Sequence, residues 1–422
     1  MLQVNFLREN KERVLEGLGK RGFKQVDLVD QAISLDDDRK KLQFELDQNL
    51  SEMNRISKEI GLLMRDGKKE EAEAAKSQTA IFKENSQDLQ QKLKETESKL
   101  LEVLYQIPNI PYEKVKAGTT AEENEIIYQS HDVEGLGEGA IPHWELAKKY
   151  NLIDFELGVK IAGAGFPVYF GKGARLQRAL VQYFLDKNGD AGYLEVNPPH
   201  VANEASGYGT GQLPDKEGQM YYINEDKLYL IPTAEVPVTN LYRDVLLDEK
   251  ELPIKNTAFS QCYRREAGSY GAHVRGLNRL HQFEKVEIVR IEKPENSYAV
   301  LEEMVDHIKE ILNDLELPYR VLRLCGGDTG FASAMTYDFE VWSAAQEKWL
   351  EVSSVSNFET FQANRLKCRY KSDGKTQLVH TLNGSAMALP RIMAALLENN
   401  QTENGIKIPA KIAAYARFDL IN

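Results

Sequence analysis

Between Ser34 and Leu63 the apolar positions Leu35, Leu42, Leu46, Met53, Ile56, Ile60 and Leu63 recur at alternating steps of four and three. The step is kept through Asn49, a polar residue on the apolar line. That is a heptad seam on a long helix. A polar stretch around Gly67 interrupts it, and a second seam follows through Phe82, Leu89, Leu93, Leu100, Val103 and Ile107. Ser86 and Thr96 are its polar interruptions, and Pro108 and Pro111 stop it. Two helices joined by a short glycine turn run antiparallel, each roughly 40–55 Å long at 1.5 Å per residue. A heptad stretch usually serves dimerisation. The short turn favours a hairpin closed within one chain, projecting from the rest as an arm.

After Pro111 the period changes. GYLEVNPPHV, KLYLIPTAEVP, TAFSQCYRR, HQFEKVEIVRI, YRVLRLC, TYDFEVWSA and WLEVSSVSNF read as strands. ENSYAVLEEMVDHIKEILNDL, MALPRIMAALLEN and the stretch after VYFGKGARL read as helices. Strands follow one another without regular helical crossovers. That predicts an α+β body with a mixed, mainly antiparallel sheet flanked by helices. The expected division is 1–110 for the helical hairpin region and 111–422 for one body.

Composition narrows the classes. The 422 residues hold 53 basic and 65 acidic side chains, a formal charge of −12. Residues 1–110 carry 19 basic and 21 acidic residues, so nearly all of the excess lies in the body. This disfavours a non-specific nucleic-acid binder but leaves room for a local patch. Arg65, Lys68, Lys69, Lys76, Lys83, Lys92, Lys94 and Lys99 offer such a patch in the second half of the arm, or else a solvated face with Glu partners. No run of about 18 apolar residues predicts a membrane span, and no apolar leader opens the chain. Three scattered cysteines suit a reducing cytoplasm. P-loop, dinucleotide, zinc-protease and nucleophile-elbow motifs are all missing from the sequence.

Four segments carry chemistry. In residues 257–288, Arg264, Arg265, Arg275 and Arg279 would converge if the flanking strands pair, gripping phosphate oxygens with guanidinium forks. Phe283 could present a ring face to a base, and a surface hairpin of solvated charges is the plain alternative. In residues 382–399, Asn383-Gly384-Ser385 reads as a tight turn feeding an apolar helix, with Arg391 about two turns in. In residues 349–358, strict alternation puts Glu351 and Ser353 on one face, where oxygen ligands suit Mg²⁺. Thr233 and Glu235 form a polar pair between prolines, able to cradle an ammonium group or simply belonging to a loop.

Together these segments resemble the class II aminoacyl-tRNA synthetases, and within them the bacterial-type seryl-tRNA synthetase family. The resemblance spans the whole chain and is most specific in YRREAG followed by RGLNRLHQFEKVE. GYLEVNPPHV, with Pro199, is similar to the first class II motif, at the dimer interface in that family. Residues 382–399 are similar to the third motif, departing at Ala386, where bacterial members often have glycine. The resemblance implies activation of L-serine by ATP and transfer to tRNA(Ser), with tRNA(Sec) as a further acceptor. It implies a cytoplasmic homodimer that uses Mg²⁺. It assigns Arg264 to bridging the serine carboxylate and the α-phosphate, with Arg391 as its catalytic companion. Thr233, Ala234, Glu235, Glu287 and Ser385 would hold serine, a hydroxyl-reading pocket that rejects alanine by roughly 10⁴. Arg265, Glu266, Arg279, Phe283, Glu351, Val352, Ser353 and Ser354 would hold ATP, with Glu351 and Ser354 as metal ligands. Here the family points to Ser354 and the alternation to Ser353. The arm would embrace the elbow and variable arm of the tRNA. A carrier-protein ligase of the same fold would lack the arm. A non-catalytic relative would lack Arg264, Glu266, Glu351 and Arg391.

Overall fold

The computed structural model describes residues 1–133, 135–137, 139–267 and 274–422. It divides into two compact units. One holds Met1–Leu18 and Phe23–Pro108, the other Gly19–Gly22 and Asn109–Asn422.

The first unit is built on α1 (Leu28–Arg65) and α2 (Lys69–Leu104). Leu46, Ile56, Leu93 and Leu100 are buried along the seam, each 9% exposed or less on a thin two-helix arm. Asn49 and Ser86 meet across it. The Asn49 amide donates to Ser86 Oγ and to the Phe82 carbonyl, both at 2.7 Å. The seam therefore closes within one chain, and its polar interruptions fix the register of the hairpin. The basic residues of α2 include ion pairs with neighbours one turn away, Lys76 with Glu73 at 2.9 Å and Lys92 with Asp88 at 2.7 Å. Asp36 is buried in this unit and takes Arg8, Arg39 and Lys40 at 2.7–3.2 Å, a cluster that heptad spacing does not reveal.

The second unit contains α3 (His143–Lys149), α4 (Gly171–Asp190), α5 (Glu235–Asn240), α6 (Ser297–Asp314) and α7 (Leu389–Asn399). Its sheet uses β1 (Glu125–Gln129), β2 (Leu194–Glu195), β3 (Ile254–Tyr263), β4 (Gln282–Glu292), β5 (Tyr319–Arg323), β6 (Met335–Ser343), β7 (Lys348–Asn357) and β8 (His380–Ala388). Their order is β1-β5-β6-β7-β8-β4-β3-β2. Every pair is antiparallel except β2 with β3. On β4, Val286 and Ile288 join the main core with α4, α6 and α7. Val289 and Ile291 face the other side and pack with Ala234 and Val238. Glu287 lies on that second face.

Four expectations change. Asn383-Gly384-Ser385 is not a turn but the middle of β8, and α7 begins only at Leu389. Gly384 is there for close approach: a Cβ on it would come within 3.0 Å of Val355 on the neighbouring strand. Arg391 consequently sits in the first turn of α7, not two turns in. GYLEVNPPHV yields two short strands in different sheets, because Pro198 and Pro199 cannot donate to a ladder. KLYLIPTAEVP stops as a strand at Leu230 and becomes helical from Glu235. Among the described residues, no helix is long and apolar enough to cross a membrane. Cys262, Cys325 and Cys368 are buried free thiols.

Candidate functional site

Thr233 and Glu235, the polar pair between prolines, sit at a loop-to-helix corner. Thr233 precedes α5, and the first residue of that helix is Glu235. Both face Glu287 at the middle of β4. Thr233 Oγ1 donates to Glu287 at 3.0 Å and accepts the Glu235 N–H at 3.1 Å. Glu235 accepts from Gln362 Nε2 at 2.7 Å, and Thr381 in turn holds Gln362 at 2.7 Å. Ser385 lies opposite Glu287 in the β8–β4 register. Ala234 is fully buried beneath them. Two buried carboxylates so placed repel. Burial first, and the Glu287 charge second, push the Glu235 carboxyl up to about 7. Lys285, two residues before Glu287 and 6% exposed, pairs with Glu287 at 2.6 Å. No motif pointed to Lys285 or Gln362, since their relevance depends on which strand face meets α5.

Arg264 follows the end of β3, and Phe283 lies near the start of β4. The pairing of Tyr263 with Gln282 sets the two ends side by side, and the Arg264 guanidinium stands 5.3 Å over the Phe283 ring. Glu266 has φ +48° and accepts from Arg279 Nε. Arg275 lies 4.7 Å over the Trp144 ring. The expected hairpin forms, but these guanidinium groups take separate partners. Arg265 is exposed, and its backbone N–H donates to the Gln219 carbonyl at 2.8 Å. The glycine-containing loop expected after Glu266 falls, over 268–273, outside the described residues. Arg391 donates to the Asn278 carbonyl at 2.9 Å and to the Glu351 carbonyl at 2.7 Å, so it joins the hairpin to β7.

On β7 the strict alternation fails for a visible reason. Glu340 pairs with Glu351 and Phe339 pairs with Ser353, so Val352 is an extra, bulged residue. The bulge buries Val352 and Ser353 in succession and returns Ser354 to the side of Glu351. Ser353 Oγ donates to the Ser385 carbonyl at 2.6 Å. Ser354 Oγ donates to Asp338, whose carboxyl burial and then Glu351 raise well above the usual range. Glu351, Ser354 and Asp338 form an oxygen-only donor set, which suits Mg²⁺. Among the described residues, no three His, Cys, Asp or Glu side chains form a group that could hold a metal ion by themselves. Asp338 was not legible because it lies on the neighbouring strand, three residues past Met335.

Comparison with known proteins agrees with this layout. Residues 1–111 match the seryl-tRNA synthetase N-terminal domain. Residues 220–400 match the tRNA synthetase class II core domain (G, H, P, S and T). The chain is 49% identical over 421 residues to a serine–tRNA ligase of Salinibacter ruber, covering 99% of this chain and 98% of that protein. The chain belongs to the seryl-tRNA synthetase family. A second member, the serine–tRNA ligase of Chlorobaculum parvum, is 46% identical over the full length of both chains. Among solved structures, the seryl-tRNA synthetase of Pyrococcus horikoshii complexed with ATP superposes with a TM-score of 0.90 at 31% identity. That alignment covers 100% of this chain and 99% of the other. The class II core match takes in Thr233, Glu235, Arg264, Glu287, Glu351, Ser385 and Arg391, and the seryl-tRNA synthetase N-terminal match takes in the whole helical hairpin.

Proposed function

We propose that this chain activates L-serine with ATP and transfers the serine to the terminal ribose of tRNA(Ser), with tRNA(Sec) as an additional acceptor. The buried cluster of Thr233, Glu235 and Glu287 facing Ser385, beside Arg264 over Phe283, carries the reading. A serine ammonium fits between the Glu235 and Glu287 carboxylates and would relieve their repulsion. Its hydroxyl finds Ser385 and Glu287. A substrate lacking that hydroxyl leaves buried polar groups unpaired, which costs affinity.

In the first step a serine carboxylate oxygen bonds to the α-phosphorus and the bond to the β-phosphate bridging oxygen breaks. Pyrophosphate leaves. Two anions must approach, so neutralisation and alignment carry the catalysis. Arg264 bridges the carboxylate and α-phosphate, Phe283 stacks on adenine, and Glu266 meets the adenine amino group. Arg279 and Arg391 grip the triphosphate, with Arg265 at its margin. Glu351 and Ser354 would hold Mg²⁺, which would supply positive charge to the phosphates. Val352 and Ser353 set the strand that carries both ligands. In the second step the tRNA ribose hydroxyl attacks the adenylate carbonyl and AMP leaves.

Residues 1–110 form the tRNA-binding domain, and 111–422 the catalytic and dimerising domain of a cytoplasmic homodimer. The arm reads the shape of the tRNA rather than its sequence, as RNA recognition usually does. ATP–pyrophosphate exchange with each of the twenty amino acids tests the reading. Exchange should be strongest with serine, and a preference for any other amino acid overturns it.

A further inference from the structure

His143 is fully buried, and no step of the reaction uses it. Its surroundings are more specific than a core position needs. As the first residue of α3, it gives both its backbone N–H (2.9 Å) and its ring Nδ1 (2.7 Å) to one oxygen of Glu398. Because Nδ1 donates, Nε2 is left as an acceptor, and it takes the backbone N–H of Leu277 at 2.8 Å. The ring reaches that backbone only because residue 276 is glycine. A Cβ there would lie 2.2 Å from Nε2, and φ is +68°. The next residue on α3, Trp144, carries Arg275 over its ring. One helix start therefore fixes the backbone of the 275–279 segment and the side chain of its first arginine.

The other end of the relay is equally specific. Glu398 lies on α7, the helix that carries Arg391. Arg391 Nε donates to the Asn278 carbonyl at 2.9 Å, and the Asn278 amide donates to Gln346 at 2.8 Å. Gln346 in turn donates to Glu398 at 2.9 Å. The segment is thus tied to α7 on both sides, through His143 and through Arg391. Burial alone would raise the Glu398 carboxyl, yet the bonds from His143 and Ser343 hold it below the usual range, as an acceptor.

We propose that His143, backed by Glu398, is a positioning residue for the triphosphate of ATP. It holds the Arg275–Arg279 segment at a fixed spacing from Arg391, so Arg279 and Arg391 meet the phosphates already aligned. The role rests on the ATP-binding reading above. It predicts a selective effect, because the serine pocket is built on α5, β4 and β8 and shares no residue with this relay.

Two variants separate the two hydrogen bonds of the ring. His143→Asn keeps a donor for Glu398 and loses the acceptor for Leu277, whereas His143→Gln places an acceptor near Nε2. In pyrophosphate exchange, His143→Asn should raise the KM for ATP by ~10–100-fold with the KM for serine unchanged, the effect of misplacing binding groups by about 1 Å. His143→Gln should raise the KM for ATP clearly less than His143→Asn does, because the acceptor that holds the Leu277 N–H is kept. Parallel rises in both KM values, or an unchanged ATP KM in a folded His143→Asn protein, overturn the proposal. Should His143→Asn fail to fold, Gln346→Ala at the half-buried end gives the same decision. A selective rise in ATP KM supports the relay, and a flat or unselective response overturns it. Wild-type protein that fails to exchange with serine would strike the functional reading itself. Wild-type exchange with insensitive variants strikes only the positioning role.

Discussion

At the scale of single residues, the site is governed by where charge is buried. Glu235 holds its proton up to about pH 7 because burial and Glu287 disfavour the carboxylate. The unfolded chain releases that proton near the ordinary value of 4.5. The stabilising contribution is therefore whole below about pH 4.5 and is lost as the pH rises through about 7. Glu235→Gln should gain stability over wild type at about pH 8 and much less at about pH 5, read by thermal unfolding. An equal change at both pH values would contradict the shift. Arg264→Ala removes the cation over Phe283 and should cost ~2.7–4 kcal/mol of transition-state stabilisation in pyrophosphate exchange. Near-normal exchange would reject the bridging role. The charged residues of the site stood out in the sequence because Arg, Glu and Ser at those spacings serve no apolar pattern. Lys285, Gln362, Asp338 and His143 did not, since each matters only through a neighbour distant in the chain. The choice between Ser353 and Ser354 was closed to alternation arguments, because one bulged residue reverses the count.

At the scale of elements, the long helices were the most legible. Their seam repeats over many turns, and its polar gaps turn out to be partners. Asn49 and Ser86 specify register at a cost in stability. Replacing both with leucine should raise the thermal stability of the arm by about 2 kcal/mol, followed by circular dichroism of the full chain. Unchanged stability would mean that the polar pair is as favourable as an apolar one. The body strands β3 to β7 were legible from their apolar runs. The segment around Asn383 was not, because asparagine, glycine and serine are the residues of turns. There the glycine answers a steric demand from Val355 across the sheet, which no local pattern encodes.

For the whole molecule, the charge of −12 is spread unevenly, with the helical region close to neutral. Modest local attraction suits a protein that must release each charged tRNA. Deleting residues 36–105 should leave serine-dependent pyrophosphate exchange intact while charging of tRNA(Ser) collapses. Unchanged charging kinetics would contradict the role given to the arm. The sheet order has a further consequence, for synthesis. β8 is the last of its strands to leave the ribosome, yet it sits between β7 and β4 in the middle. Until it arrives, β1-β5-β6-β7 and β4-β3-β2 are separate half-sheets, each with an open edge. Such edges invite pairing with other nascent chains. A chain that stalls before His380 is therefore sticky as well as inactive, and the strand that carries Ser385 also closes both edges.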